Sequence, residues 1–202
     1  AANLDDLRRL AAIVNDMLFL SQADRGAQAR RSSVVSLSSA MDDIVDYHDA
    51  AFHERNLTIS RQGDAAGAFD VGLLRRALSN LLSNAARYAL GGSEVVVRIE
   101  VRGSRLLFGV ENVGEPIGRD HLPHLFDRFY RADRSRRKAG ANFGLGLAIV
   151  AAIARMHGGE PYVRSASGKT AIGIDIPLGE SDQGAAGGAA VRPALNDPET
   201  HG

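Results

Sequence analysis

Asn80 and Asn84, in the segment Asn80-Leu81-Leu82-Ser83-Asn84, put two carboxamides one helical turn apart on one face of an otherwise apolar helix. Their oxygens are suited to a hard cation. Further along, Gly144-Leu145-Gly146-Leu147 is a glycine-rich entry into a second helix. Such a turn lets backbone N–H groups approach a phosphate. One group fit to hold a metal and one fit to hold a polyphosphate make a nucleotide site the leading expectation. It is not a Walker loop, because no G-x-x-x-x-G-K-[ST] occurs in the chain.

The elements that must position these groups follow from periodicity. Residues 72–89 read as a strong helix through Leu73, Leu74, Ala77, Leu78, Leu81, Leu82 and Ala85, ended by Gly91-Gly92. A helix over 143–156 is stopped by His157-Gly158-Gly159. Residues 3–25 form a third, with Leu4, Leu7, Leu10, Ala11, Ile13, Val14, Met17, Leu18 and Leu20 at spacings of three and four, and Gly26 as its stop. That stripe is wide, as in a helix bundle, and needs a partner. A strand over 34–37 leads into a helix capped by Ser38 or Ser39 and running to about Arg55. Strands are expected over 57–61 and 66–69, then a hairpin over 95–101 and 106–111 turning at Gly103-Ser104. A short helix over 120–129 and strands over 162–165 and 170–176 complete an α+β arrangement: a two-layer α/β sandwich of mostly antiparallel strands with helices on one face, preceded by the bundle-type helix.

Composition narrows the class. The 202 residues are 45% hydrophobic, enough for a substantial core. Lys+Arg and Asp+Glu both number 24, so no basic excess points to nucleic acid. With no cysteine there is no disulfide framework and no thiolate metal site. The longest apolar run, 145–154, is about half of the ~20 residues a membrane span needs, so no membrane contact is expected of these residues.

Five motifs occur in order. An N-box supplies Asn80, Asn84, Arg87 and Tyr88; a G1-like box spans 110–117 as Val-Glu-Asn-Val-Gly-Glu-Pro-Ile; an F-box spans 125–131 as Leu-Phe-Asp-Arg-Phe-Tyr-Arg; the G2 box is Gly144 to Leu147; and Gly168-Lys169-Thr170 closes the set. Across roughly 3–178 the chain resembles the ATP-binding catalytic domain, of the Bergerat or histidine-kinase ATPase fold, of bacterial sensor histidine kinases. Glu111-Asn112 and the lead-in His121-Leu122-Pro123-His124-Leu125-Phe126 are spelled as in the heavy-metal-sensor branch.

The resemblance implies roles. Asn84 would ligate Mg²⁺, supported by Asn80, with Arg87 on phosphate and Tyr88 near the nucleotide. Asn112 stands where the family has an Asp that accepts from the adenine amino group. Its oxygen can still accept, without the charge that strengthens such bonds. Gly114 keeps the first glycine of that box, while Pro116 replaces the second and stiffens the loop. Gly144, Leu145, Gly146 and Leu147 would bind phosphate, and Thr170 would line the nucleotide site. A basic ATP lid would carry Arg128, Arg131, Arg134, Arg136, Arg137 and Lys138, hinged at Gly140 and Gly144, with Phe126 and Phe129 as core anchors. ATPases of the superfamily carry a Glu one turn before the metal-binding Asn. Here Asn80 stands in that place and cannot act as a general base, so phosphoryl transfer is expected rather than hydrolysis.

No His fits the phosphoacceptor pattern H-[ED]-x-[RK]-x-P: His53-Glu54-Arg55 begins one but lacks the proline. His121 and His124 have a spacing a metal could use, without further ligands nearby. The expected organisation is therefore 1–26 as the second helix of a dimerisation hairpin, 27–32 as linker, 33–178 as catalytic domain and 179–202 as a disordered tail. The implied cofactors are ATP and Mg²⁺. Partners would be a response-regulator receiver domain and a second copy through the helix hairpin, in a cytoplasmic piece of an inner-membrane sensor beginning after the H-box. A non-catalytic nucleotide-binding or dimerisation module is the alternative, with a superfamily ATPase the less favoured third reading.

Overall fold

The computed structural model describes residues 2–132 and 143–179. Arg134, Arg136, Arg137, Lys138 and Gly140 of the expected lid, and the expected tail from 180 onward, lie outside the described residues.

Helix α1 (Ala2–Asp24) ends at Gly26, whose φ of +84° is open to glycine. A short strand β1 (Ser32–Val34) and helices α2 (Leu37–Ala40) and α3 (Asp42–His53) follow. The single expected helix to Arg55 is thus two. Ser36, not Ser38 or Ser39, caps the first, its Oγ accepting from Ser39 N at 3.1 Å. Buried Met41 (φ −101°, ψ −3°) breaks the run.

Strands β2 (Thr58–Gln62) and β3 (Gly67–Phe69) precede helix α4 (Val71–Tyr88), capped by Asp70. The hairpin β4 (Glu94–Arg102) and β5 (Arg105–Val113) comes next. Where a helix was expected over 120–129 there is a single 3₁₀ turn, Leu122–His124. Pro123 supplies no N–H, and Phe129 sits at φ +63°, outside any right-handed helix. Helix α5 (Gly146–Met156) starts three residues later than expected, because Gly144 at φ +73° cannot belong to it. Strands β6 (Glu160–Ala166) and β7 (Lys169–Pro177) close the domain.

The main sheet has the order β2-β4-β5-β7-β6. All its pairs are antiparallel except β2 with β4, which are parallel because β3 and α4 form a crossover between them. β3 does not join this sheet and pairs instead with β1. Alternate residues of the sheet face the helices and are buried: Val95, Val97 and Ile99; Leu106, Phe108 and Val110; Ile172, Ile174 and Ile176. Helix α4 lays Leu74, Ala77, Leu78, Leu81, Leu82 and Ala85 onto that layer. Helix α5, buried continuously from Ala148 to Ala154, packs between the sheet, α4 and α1. Leu20 of α1 is fully buried, whereas Leu4, Leu7, Leu10, Val14, Met17 and Leu18 stay 50–58% exposed. No described helix is long and apolar enough to cross a membrane.

Candidate functional site

Helix α4 is held at its start by Asp70, whose Oδ1 accepts from Leu73 N at 3.1 Å and whose Oδ2 accepts from Arg30 N at 2.9 Å. The buried residues of α4 face the sheet, and the adjoining flank of the helix puts Asn80, Asn84, Arg87 and Tyr88 on the lining of a cavity of about 830 Å³. Asn80 Nδ2 donates to Arg76 O at 2.8 Å. Its Oδ1 lies over Gly146, where a Cβ would stand 2.9 Å away. The metal-type carboxamides and the glycine entry of α5, far apart in sequence, therefore meet in one wall.

That entry is shaped for close approach. A Cβ on Gly144 would meet Tyr130 O at 2.7 Å and the backbone of Phe129 at 2.8 Å, and Phe129 N donates to Gly144 O at 2.9 Å. Among the described residues no side chain caps the first turn of α5, whose N-cap position is held by Leu145, and the N–H groups of a helix's first turn are suited to binding an anion. The opposite wall comes from the ends of β5 and β7, where Asn112 and Thr170 are directly paired. Both are buried. Asn112 Nδ2 donates to Val113 O at 3.3 Å, and Thr170 Oγ1 is 3.0 Å from Ser165 Oγ. Gly114 is required here: a Cβ would stand 2.7 Å from Tyr88 O.

Of the expected site residues, Asn80, Asn84, Arg87, Tyr88, Asn112, Gly114, Arg131, Gly144, Gly146, Leu147 and Thr170 line the cavity. Leu145 is buried behind it. Arg128 points elsewhere, its Nη2 donating to Asp24 at 2.6 and 2.7 Å, which ties the F-box to the end of α1. Phe126 packs against the core as expected, but Phe129 is 55% exposed, since its left-handed backbone turns the ring outward. Strand alternation sends Glu111 to the outer face of the sheet. There the forked Arg98, donating at 3.0 and 3.1 Å, holds its carboxyl below the usual range.

His121 and His124 do not form a metal pair: His121 Nδ1 is 2.6 Å from Tyr130 Oη, and His124 Nδ1 is 2.9 Å from Asp127 Oδ2. Among the described residues no group of three His, Cys, Asp or Glu could hold a metal. Two residues escaped the sequence reading. His157 is fully buried, donating from Nδ1 to Ile153 O at 2.9 Å and accepting from Asp70 N at Nε2 at 3.2 Å, so it joins the end of α5 to the cap of α4. Arg55 reaches the cavity rim from the loop after α3.

The family model for histidine kinase-, DNA gyrase B- and HSP90-like ATPases matches residues 69–180. The chain belongs to this ATPase family. Escherichia coli K12 "Sensor histidine kinase CusS" is 42% identical over 177 residues, 87% of this chain and 37% of that protein. "Sensor protein CzcS" of Cupriavidus metallidurans is 34% identical over 184 residues, 91% of this chain and 39% of that protein. One is named a sensor histidine kinase and the other a sensor protein, in keeping with the kinase family that the motifs resemble. The chain spans little more than a third of their length. Among solved structures, Acinetobacter baumannii histidine kinase AdeS gives a TM-score of 0.71 at 20% identity, covering 87% of this chain and 81% of that one. ShkA, full-length in complex with AMPPNP, gives 0.72 at 23% identity, covering 85% and 36%. The ATPase fold expected from the sequence is the one these neighbours share.

Proposed function

We propose that the chain is the ATP-binding kinase core of a sensor histidine kinase. It would present the γ-phosphoryl of Mg-ATP to a histidine on a phosphoacceptor hairpin, from which an Asp of a response regulator receives it. The observation that carries this reading is the juxtaposition of Asn80 with Gly146, which unites a carboxamide pair and an uncapped helix entry in one cavity. The donor set fits Mg²⁺, which keeps few protein ligands and completes its shell with waters and phosphate oxygens. Asn84 would hold it with Asn80 in support; bound there, the ion neutralises phosphate charge. Arg87 and Arg131 would add positive charge along the triphosphate, and the glycine entry of α5 would supply N–H donors. Asn112 and Thr170 would receive the base. In the transfer, an imidazole nitrogen forms the bond to the γ-phosphorus while the bond to the β–γ bridging oxygen breaks and ADP leaves. Asn80 argues for transfer over hydrolysis, because its amide is engaged with Arg76 O and it has no carboxylate to take a proton from water.

The half-exposed apolar stripe of α1 supports pairing with a second copy through a helix hairpin. The spelling of Glu111-Asn112 and of the lead-in from His121 to Phe126 supports a heavy-metal stimulus, and the sensor names of the relatives support a membrane-anchored parent. Two measurements test the reading. Calorimetry should detect Mg-ATP binding that Asn84→Ala abolishes; a wild-type chain that binds no nucleotide would overturn it. Adding a separate H-box hairpin with labelled ATP should yield phosphohistidine, whereas steady unassisted hydrolysis would point to an ATPase.

A further inference from the structure

The last turn of α4 carries Arg87 and Tyr88, and every helix end leaves its final carbonyls without partners inside the helix. Here the carbonyls can be accounted for one by one. Ala85 O accepts from Ala89 N at 2.8 Å. Arg55 takes three others: Nη1 donates to Ala86 O and, at 2.7 Å, to Arg87 O, and Nη2 donates to Ala89 O at 3.1 Å. Tyr88 O remains, packed over Gly114. A cation at this end also opposes the negative pole of the helix. Arg55 comes from the loop between α3 and β2, so a separate element closes the helix.

This end of α4 is one end of the cavity. Ala89 bridges Gly114, Leu90 N donates to Val113 O at 2.8 Å, and Gly114 N donates to Gly168 O at 2.9 Å. The turn closed by Arg55 is thus fastened to the segment bearing Asn112. About two turns earlier, the same helix face meets Gly146 through Asn80. We infer that Arg55 is a positioning residue for nucleotide recognition: its guanidinium fork sets the last turn of α4, and with it Tyr88, against the wall that receives the base. It acts on the nucleoside end and leaves the metal end to Asn80 and Asn84. A lysine cannot replace it, because one ammonium does not span three carbonyls as a planar fork does.

The inference rests on the proposed ATP site, and its test separates the two. Titrate ADP without metal, then ATP with and without Mg²⁺, into the full chain and into Arg55→Met and Arg55→Lys, and follow thermal unfolding of each. Both variants should weaken metal-free ADP about tenfold, the scale of one or two lost charge-assisted hydrogen bonds. The gain in ATP affinity on adding Mg²⁺ should stay within about twofold of wild type, since the last turn of the helix is disturbed and the stretch bearing Asn80 and Asn84 is not. Unchanged ADP affinity in either folded variant overturns the inference, as does a loss confined to the Mg²⁺-dependent gain. A variant that unfolds at the assay temperature also overturns it, by making Arg55 a residue of the fold. If wild type binds neither nucleotide, the ATP reading fails first.

Discussion

Gly146 passes beneath Asn80 so closely that a Cβ on the glycine would stand 2.9 Å from Asn80 Oδ1. The obstructing atom is the end of a side chain, and the φ of Gly146 is not among the positive ones, so the backbone accepts alanine while Asn80 must move. Gly146→Ala should keep its unfolding temperature and lose about tenfold in Mg-ATP affinity. Calorimetry beside a thermal melt checks this; unchanged affinity would mean that Asn80 does not serve the metal.

Arg128 and Arg131 are neighbours in one motif with different surroundings. Arg131 lines the cavity, whereas Arg128 pairs with Asp24 across a half-exposed contact. Arg131→Ala should therefore lower triphosphate affinity by about tenfold, the weight of a charge-assisted contact. Arg128→Ala should change it by less than about twofold and cost at most about 1 kcal/mol of stability, as exposed ion pairs do. Fluorescence titration and denaturant melts of both variants decide it.

The central strands approach too closely for side chains at one point. A Cβ on Gly173 would stand 2.4 Å from Phe108 O and 2.6 Å from Gly109 Cα, and Tyr162 lies across both glycines. The obstacles are backbone atoms of a paired strand, so Gly173→Ala should destabilise by about 1–3 kcal/mol, the usual range for overpacking. A urea titration with unchanged slope and an earlier midpoint would register it.

His157 and His48 both have their pKa lowered, chiefly by burial. A folded-state pKa below the unfolded one means that the unfolded chain binds more protons, so stability falls as pH drops through the ordinary histidine value of about 6.5. The loss begins there and levels off once pH passes below the folded-state value. Melting temperature should decline from pH 7.5 to 5.5, and His157→Gln, which can still accept from Asp70 N, should flatten the slope. An equally steep slope in that variant would acquit His157.

The parts legible in the sequence were those with long, uninterrupted periods. Helix α4 and the β4–β5 hairpin came within a residue or two of their places, because seven apolar positions at helical spacing in one, and polar Arg98, Glu100 and Arg102 at alternate positions before a Gly-Ser turn in the other, leave little choice. Asn80 and Gly146 were legible as motifs, but their contact belongs to the packing of α5 on α4. Arg55 was illegible for a physical reason: its partners are backbone carbonyls, which every residue has, some thirty positions away. Arg128 was misplaced because a run of basic residues says nothing about the Asp24 waiting at the end of another helix. The parallel β2–β4 pair was missed because pattern within a strand does not reveal the direction of its neighbour.

Helix α4 carries midway along its length the carboxamide that meets Gly146 and at its C-terminal end the turn bridged to Gly114. From Asn80 to Tyr88 is eight residues, about 12 Å of rise in a rod that does not stretch. Such a helix acts as a gauge: the span offered to a ligand is counted in residues and is not adjusted by loops. An insertion within that stretch would move one station relative to the other and turn it around the axis, while leaving each station's own chemistry intact.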